Sequence, residues 1–121
     1  MNIYDLIIIG AGPGGYAGAI RAAQLGLKVC IIERRDVGGT CLNRGCIPTK
    51  SFLYASELFS KAKNDFETFG ITVEKLSFDM AKMYSRKNQT VSRLRSGVEQ
   101  LLKANKVTRL EGTGTIEARG S

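Results

Sequence analysis

The chain contains no histidine in its 121 residues. That absence removes the one side chain whose charge ordinarily changes near neutral pH, and with it the usual general base. It also weakens the case for a metal centre, because the three cysteines alone fall short of a tetrahedral set. Long apolar runs are missing too. The longest, Leu6 to Ile9, is far shorter than the ~20 residues needed to span a bilayer. Met1 to Asp5 leads straight into that run without a basic leader or a small-residue cleavage site, so no secretory signal is readable and a cytoplasmic location is expected. Aromatic side chains are scarce where the charge is greatest. Met80 to Arg109 carries eight cations (Lys82, Arg86, Lys87, Arg93, Arg95, Lys103, Lys106 and Arg109) against Glu99 alone, which accounts for the whole net charge of +7. Tyr84 is the only aromatic residue among them, too few for stacking on bases. A solvated helix face is the expectation, with neither nucleic acid nor membrane as partner. No internal repeat or low-complexity tract is visible.

What is present fits one soluble domain with a modest core: 43% hydrophobic and 24% charged residues. Ile3 to Ile9 is short, rich in β-branched residues and stopped by Gly10, the pattern of a buried strand. Gly14 to Leu25 carries small and apolar residues at helical spacing up to Gly26. Lys28 to Glu33 is a second buried strand, with Cys30 inside it as an inert core residue. Together these form a βαβ unit with parallel strands. Residues from about Cys41 to Asp65 are expected to be mostly helical, with Pro48 tolerated only at a kink or irregular turn. Glu67 to Phe78 is a connection around Gly70. A long helix is expected over Asp79 to Lys103, capped by Asp79. Its stripe of Tyr84, Val91, Leu94, Val98 and Leu101, interrupted by Lys87, suits packing on its own domain or on another chain. Val107 to Leu110 is a third strand, Gly112 and Gly114 form a turn, and Thr115 to Ala118 begins a possible fourth. Gly120-Ser121 then ends the chain without a closing element.

Two segments carry chemistry. Gly10, Gly12 and Gly15 follow the pattern G-x-G-x-x-G between a predicted strand and a predicted helix. The first glycine permits the tight turn, the second lets the backbone approach a pyrophosphate, and the third lets helix and strand pack closely. The helix N-terminus offers amide donors and a partial positive charge to that anion. Glu33 lies 18 residues beyond Gly15, near the spacing of about 20 for an acid that binds a ribose; otherwise it is an ordinary acid at a strand end.

The second segment is Gly38-Gly39-Thr40-Cys41-Leu42-Asn43-Arg44-Gly45-Cys46-Ile47-Pro48-Thr49-Lys50. Cys41 and Cys46 stand five positions apart, an awkward rotation on a regular helix, so bonding them needs a local distortion. A small constrained ring of this kind tends to be reducible rather than structural. Two reduced, inert cysteines are the alternative. Close to a helix start, Cys41 would favour the thiolate.

This thirteen-residue segment resembles the signature of the class I pyridine nucleotide–disulfide oxidoreductases, and the resemblance extends over the whole chain. Leu42, Asn43 and Ile47 resemble the dihydrolipoyl dehydrogenase branch more than the glutathione- or mercuric-reductase branches. The resemblance implies an α/β, Rossmann-like FAD-binding fold with a parallel sheet. It implies that Gly10, Gly12 and Gly15 hold the FAD pyrophosphate, that Glu33 binds the adenosine ribose, and that Arg34, Gly38, Gly39 and Thr40 lie along the cofactor. Cys41 would be the interchange thiol, Cys46 the thiol beside the flavin ring, Lys50 a cation beside that ring, and Gly114 a backbone position near the adenine.

Members of the family are several times longer, with an NAD-binding fold and an interface domain that supplies a histidine. Residues 1–121 are therefore expected to be the N-terminal part of an FAD-binding domain, inactive in isolation and prone to self-association. The parent enzyme would be a homodimer that oxidises protein-bound dihydrolipoamide with NAD+, serving a 2-oxo acid dehydrogenase or glycine cleavage complex. An NADPH-dependent disulfide reductase, or a silent, self-associating fragment, are the alternatives.

Overall fold

The structure, a computed structural model, describes residues 3–118; the Gly120-Ser121 end lies outside them. Seven main elements follow one another: β1 (Leu6–Ile9), α1 (Pro13–Gln24), β2 (Val29–Glu33), α2 (Gly39–Arg44), α3 (Cys46–Asn64), α4 (Met80–Ala104) and β3 (Thr108–Glu111). A single 3-10 turn, Phe66–Phe69, follows α3 and ends at Gly70, which adopts a left-handed conformation with φ 73°.

The three strands form one parallel sheet in the order β1-β2-β3. Leu6 pairs with Val29 and Ile9 with Ile32; Cys30 pairs with Thr108 and Glu33 with Glu111. The α/β class and the parallel sheet expected from the sequence are both present. With β2 between β1 and β3, the order matches the 3-2-1 half of a dinucleotide-binding sheet.

One face of this sheet carries the core. Val29, Ile31 and Val37 pack with Ala19 and Ala22 of α1 and with Val91, Val98 and Leu102 of α4, while Leu6 and Ile8 border the cluster. Helix α4 starts at Asp79, whose carboxylate accepts a hydrogen bond from the Lys82 amide (3.1 Å); that satisfies one of the orphan donors of the first turn.

Four expectations need correction. The first strand is shorter than Ile3 to Ile9 and is not buried throughout: Ile3, Ile7 and Ile9 are half or more exposed, because the helices that enter the core cover only the Leu6/Ile8 face. The helical cysteine segment breaks at Gly45 rather than at Pro48. Gly45 has φ −122° and ψ −101°, outside helical space, whereas Pro48 falls in the first turn of α3, where an amide has no intrahelical partner to lose. The α4 stripe divides. Val91 and Val98 are buried together with Leu102, whereas Tyr84, Leu94 and Leu101 are about half exposed; Leu102 lies nearer the Val91/Val98 direction at 3.6 residues per turn than Leu101 does. Finally, Thr115 to Ala118 forms no strand.

The buried stripe predicts the cost of truncating it. Leu102 is 2% exposed, so Leu102→Ala is expected to lower the unfolding free energy by about 2–5 kcal/mol. Leu101→Ala, at a side chain 52% exposed, is expected to cost distinctly less. Urea titrations of the two variants measure the difference.

Candidate functional site

The glycine turn connects β1 to α1, and each glycine in it serves a different constraint. A Cβ on Gly15 would collide with the Gly10 carbonyl oxygen, so α1 can sit this close to the end of β1 only with glycine there. A Cβ on Gly12, by contrast, would meet no protein atom within 4 Å. Gly12 has an ordinary extended conformation (φ −72°), so neither backbone strain nor internal packing calls for glycine at that position. The α1 N-terminus beside it has no side-chain cap and no acid in its first turn, and Pro13 occupies the first helical position. Its free amide donors and dipole therefore favour an anion.

Glu33 ends β2 directly beneath this turn. It is 9% exposed. Its Oε2 accepts from the Ala11 amide (2.8 Å) and its Oε1 from the Arg35 amide (2.9 Å). Burial pushes its carboxyl up, but amide donors from Ala11, Arg35 and Arg34, together with the Arg34 charge, outweigh that and hold it below the ordinary value. Of the carboxylate's roughly four lone-pair sites, these three amides leave about one free. Glu33 is thus no loose surface acid; it braces the glycine turn as well as facing the groove beside it.

That groove has a volume of about 440 Å³ and is bordered by Gly10, Glu33, Arg34, Gly39, Thr40 and Gly114, among others. Six of the residues singled out in the sequence therefore converge on one cleft. Gly12 and Gly15 lie on the adjoining turn. Gly38 is buried behind it; it has φ 97°, and a Cβ there would come within 2.6 Å of the Leu42 side chain. Lys50 does not border this cleft. It is exposed, one helical turn beyond Cys46 on α3, and lines a separate groove with Ile47, Tyr54, Arg86 and Leu94.

Cys41 and Cys46 form a disulfide with their Cα atoms 4.7 Å apart. Cys41 is in α2, Cys46 opens α3, and the Gly45 break between them supplies the distortion that the five-residue spacing requires. The segment is seated on the glycine turn: a Cβ on Gly39 would lie 2.7 Å from the Gly12 Cα, and the Gly38 amide donates to the Ala11 carbonyl (2.7 Å). Cys30 stays free and buried in β2, where burial raises its thiol pKa and keeps it protonated and unreactive.

The sequence reading missed the polar brace around α2. Asp36 accepts from Arg44 (2.7 Å) and from Arg95 (3.0 Å). Asn43 donates through Nδ2 to the carbonyls of Val37 (3.0 Å) and Gly39 (2.9 Å). Asn43 inside a glycine-rich segment was the available signal; the partnership with Arg95, 59 positions from Asp36, left none.

Glu33 predicts an acid limb in stability. The folded state holds its proton less tightly than the unfolded chain. Its contribution is therefore complete above the ordinary glutamate value of about 4.3 and is lost as pH falls through the lower folded value. Glu33→Gln is expected to reduce stability at neutral pH and to flatten its decline over roughly pH 5 to 3, read from denaturant midpoints measured across that range.

Comparison with known proteins agrees with this arrangement. The profile of the family described as pyridine nucleotide-disulphide oxidoreductase matches residues 4–121. The chain is 50% identical over 113 residues to the dihydrolipoyl dehydrogenase of Zymomonas mobilis, covering 93% of this chain and 24% of that protein. It is 50% identical over 111 residues to the mitochondrial dihydrolipoyl dehydrogenase of Pisum sativum, covering 91% and 22%. It is 48% identical over 111 residues to the leghemoglobin reductase of Vigna unguiculata, covering 91% and 21%. The chain thus spans about a quarter of the length of the curated relatives it matches. Among the described residues, no helix is long and apolar enough to cross a membrane. With a parallel sheet, a glycine turn at the head of α1 and a cysteine pair seated on it, the chain belongs to the pyridine nucleotide–disulphide oxidoreductase family.

Proposed function

We propose that the chain forms the flavin side of a flavin-linked dithiol–disulfide oxidoreductase, one that oxidises protein-bound dihydrolipoamide to lipoamide with NAD+ as final acceptor. The observation that carries this reading is the seat of Gly39 on Gly12: a Cβ on Gly39 would lie 2.7 Å from the Gly12 Cα. The disulfide-bearing segment and the anion cradle are built onto one another, as they must be if a thiol substrate is to share an electron pair with a bound cofactor.

The residues present fit FAD. Gly12 leaves open space where a side chain would otherwise project, and the uncapped, acid-free start of α1 suits a pyrophosphate. In this reading Glu33 accepts a hydrogen bond from a ribose hydroxyl with its remaining lone pair and repels a 2′-phosphate. Arg34, Gly39, Thr40 and Gly114 belong to the same binding surface, with Gly38 buried behind it and Lys50 the first cation after the dithiol in sequence. When bound, FAD supplies the two-electron acceptor that amino-acid side chains lack.

The chain's own chemistry lies in the cysteines. A substrate thiolate attacks Cys41 Sγ, the bond to Cys46 breaks, and Cys46 leaves as a thiolate. The second substrate thiolate then attacks the substrate sulfur of the mixed disulfide, closes the lipoyl ring and releases Cys41. The electron pair now resides on the two cysteines. Of the two protons of the substrate dithiol, one goes to the released Cys41 thiolate and the other to a base outside this chain, which has no histidine. Relatives named dihydrolipoyl dehydrogenase at 50% identity favour the lipoyl substrate. By the same reading, the wider partners are a lipoyl-bearing protein of a 2-oxo acid dehydrogenase or glycine cleavage complex and a second copy of the enzyme, and residues 1–121 are the first part of an FAD-binding domain.

The test uses the protein at its natural length. Gly12→Val is expected to abolish bound flavin, read from the visible absorbance of the purified protein. Glu33→Ala is expected to weaken FAD binding by about 1–3 kcal/mol, the range for lost hydrogen bonds to a charged group. Dithiol reduction of the wild type is expected to raise the thiol count by two per chain, one for each cysteine of the single disulfide. Full flavin occupancy in Gly12→Val, or an unchanged thiol count, overturns the reading.

A further inference from the structure

The disulfide sits on a short helix held from outside. Helix α2 has only six residues, too few to be stable alone, and Cys41 lies in its middle. Polar contacts fix it at both ends. Near its start, the carbonyls of Val37 and Gly39 accept from Asn43 Nδ2. At its end, Arg44 reaches back to Asp36 (2.7 Å). Arg95 joins the two: its Nη1 donates to Asp36 Oδ1 (3.0 Å) and lies 3.5 Å from Asn43 Oδ1. Arg95 is itself firmly placed, because α4 is anchored by the buried side chains Val91, Val98 and Leu102. From α4, Arg95 reaches the cysteine segment at Asn43.

We propose that Arg95 is a positioning residue for the Cys41–Cys46 pair: through Asp36 and Asn43 it holds α2 in the disulfide-closed arrangement and so sets how readily the pair is reduced. This rests on the reading of the pair as redox-active. When the bond opens, the two sulfurs pass from bonding distance to non-bonded contact, and the α2–Gly45–α3 junction must widen. A free α2 can yield. An α2 tied to α4 through Arg95 Nη1 resists, so the brace penalises the dithiol relative to the disulfide. Both ion-pair partners are about one-third exposed (36% and 37%), so the effect belongs to the modest class of partly screened pairs.

The protein at natural length is equilibrated with mixtures of reduced and oxidised dithiothreitol, and the reduced fraction is counted as free thiol. In this exchange Cys41 Sγ–Cys46 Sγ breaks, two cysteine thiols form, and the reductant gives up two electrons and two protons to close its own ring disulfide. Arg95→Met is expected to shift the equilibrium roughly twofold to fivefold toward the dithiol, the range a pair of this class can supply. Arg95→Lys, which keeps the charge but not the planar guanidinium, is expected to fall between. Asp36→Asn removes the same tie from the other side, shifts the balance in the same direction, and carries the test should Arg95→Met fail to fold. Leu6→Ala trims the border of the core on β1, which packs on β2 and α1 rather than on α2 or α4; it is expected to lower the denaturation midpoint without moving the thiol equilibrium. A wild type that titrates beside unmoved Arg95→Met and Asp36→Asn overturns the brace alone, as does a Leu6→Ala shift equal to theirs. A wild type whose thiol count never rises overturns the redox reading, and the brace with it.

Discussion

The peptide of Ala11 is the point on which the rest of the site depends. Its amide donates to the Glu33 carboxylate (2.8 Å) and its carbonyl accepts from the Gly38 amide (2.7 Å). One fully buried residue therefore ties the glycine turn to the end of β2 on one side and to the cysteine segment on the other. Without these bonds, a buried donor and acceptor would stand unsatisfied, each at a cost of about 1–3 kcal/mol. The same two bonds set the relative position of an anion cradle and a disulfide whose cysteines lie at least thirty residues further along the chain. Glu33 is accordingly both a brace and the acid of the proposed ribose site, and a substitution there disturbs the turn before it disturbs any ligand.

Local signals made much of this legible. The strand–turn–helix–strand unit from Leu6 to Glu33 was readable because its punctuation is steric: glycines at a tight turn, a proline where a helix begins, apolar β-branched runs where strands are buried. Asp79 was readable as a cap for the same reason, since a short carboxylate ahead of a helix has one favourable use. The cysteine pair was readable from its spacing and neighbours.

What escaped were features decided by tertiary contact. Burial of β1 failed as an expectation because an apolar strand reads the same whether one face is covered or two. The α4 stripe was assigned to Leu101 when the core lies toward Leu102, a choice that depends on where α1 and the sheet stand. Pro48 drew attention as a breaker because its chemistry is conspicuous, yet a first-turn proline costs a helix nothing. Asp36, Asn43 and Arg95 form a brace across more than fifty positions, and no periodicity in the sequence marks it.

The break at Gly45 gives the cysteine pair its physical sense. Five positions along an uninterrupted helix correspond to a rotation of roughly 140° and a rise of about 7.5 Å, which would leave the two sulfurs on different faces and out of reach. With the helix broken, the Cα atoms stand 4.7 Å apart, inside the range a disulfide accepts. A Cβ on Gly45 would come within 3.2 Å of the Thr40 carbonyl, so glycine at this position also keeps α2 close to the start of α3. The pair is thus closed by a backbone feature rather than by sequence proximity, and whatever holds α2 against that break bears directly on the sulfurs. Cys30 shows the contrast within the same chain: a lone thiol in a strand, buried and without a partner cysteine, is left with packing as its role. Chemistry in this chain is assigned to cysteines by the conformation of the segment that carries them.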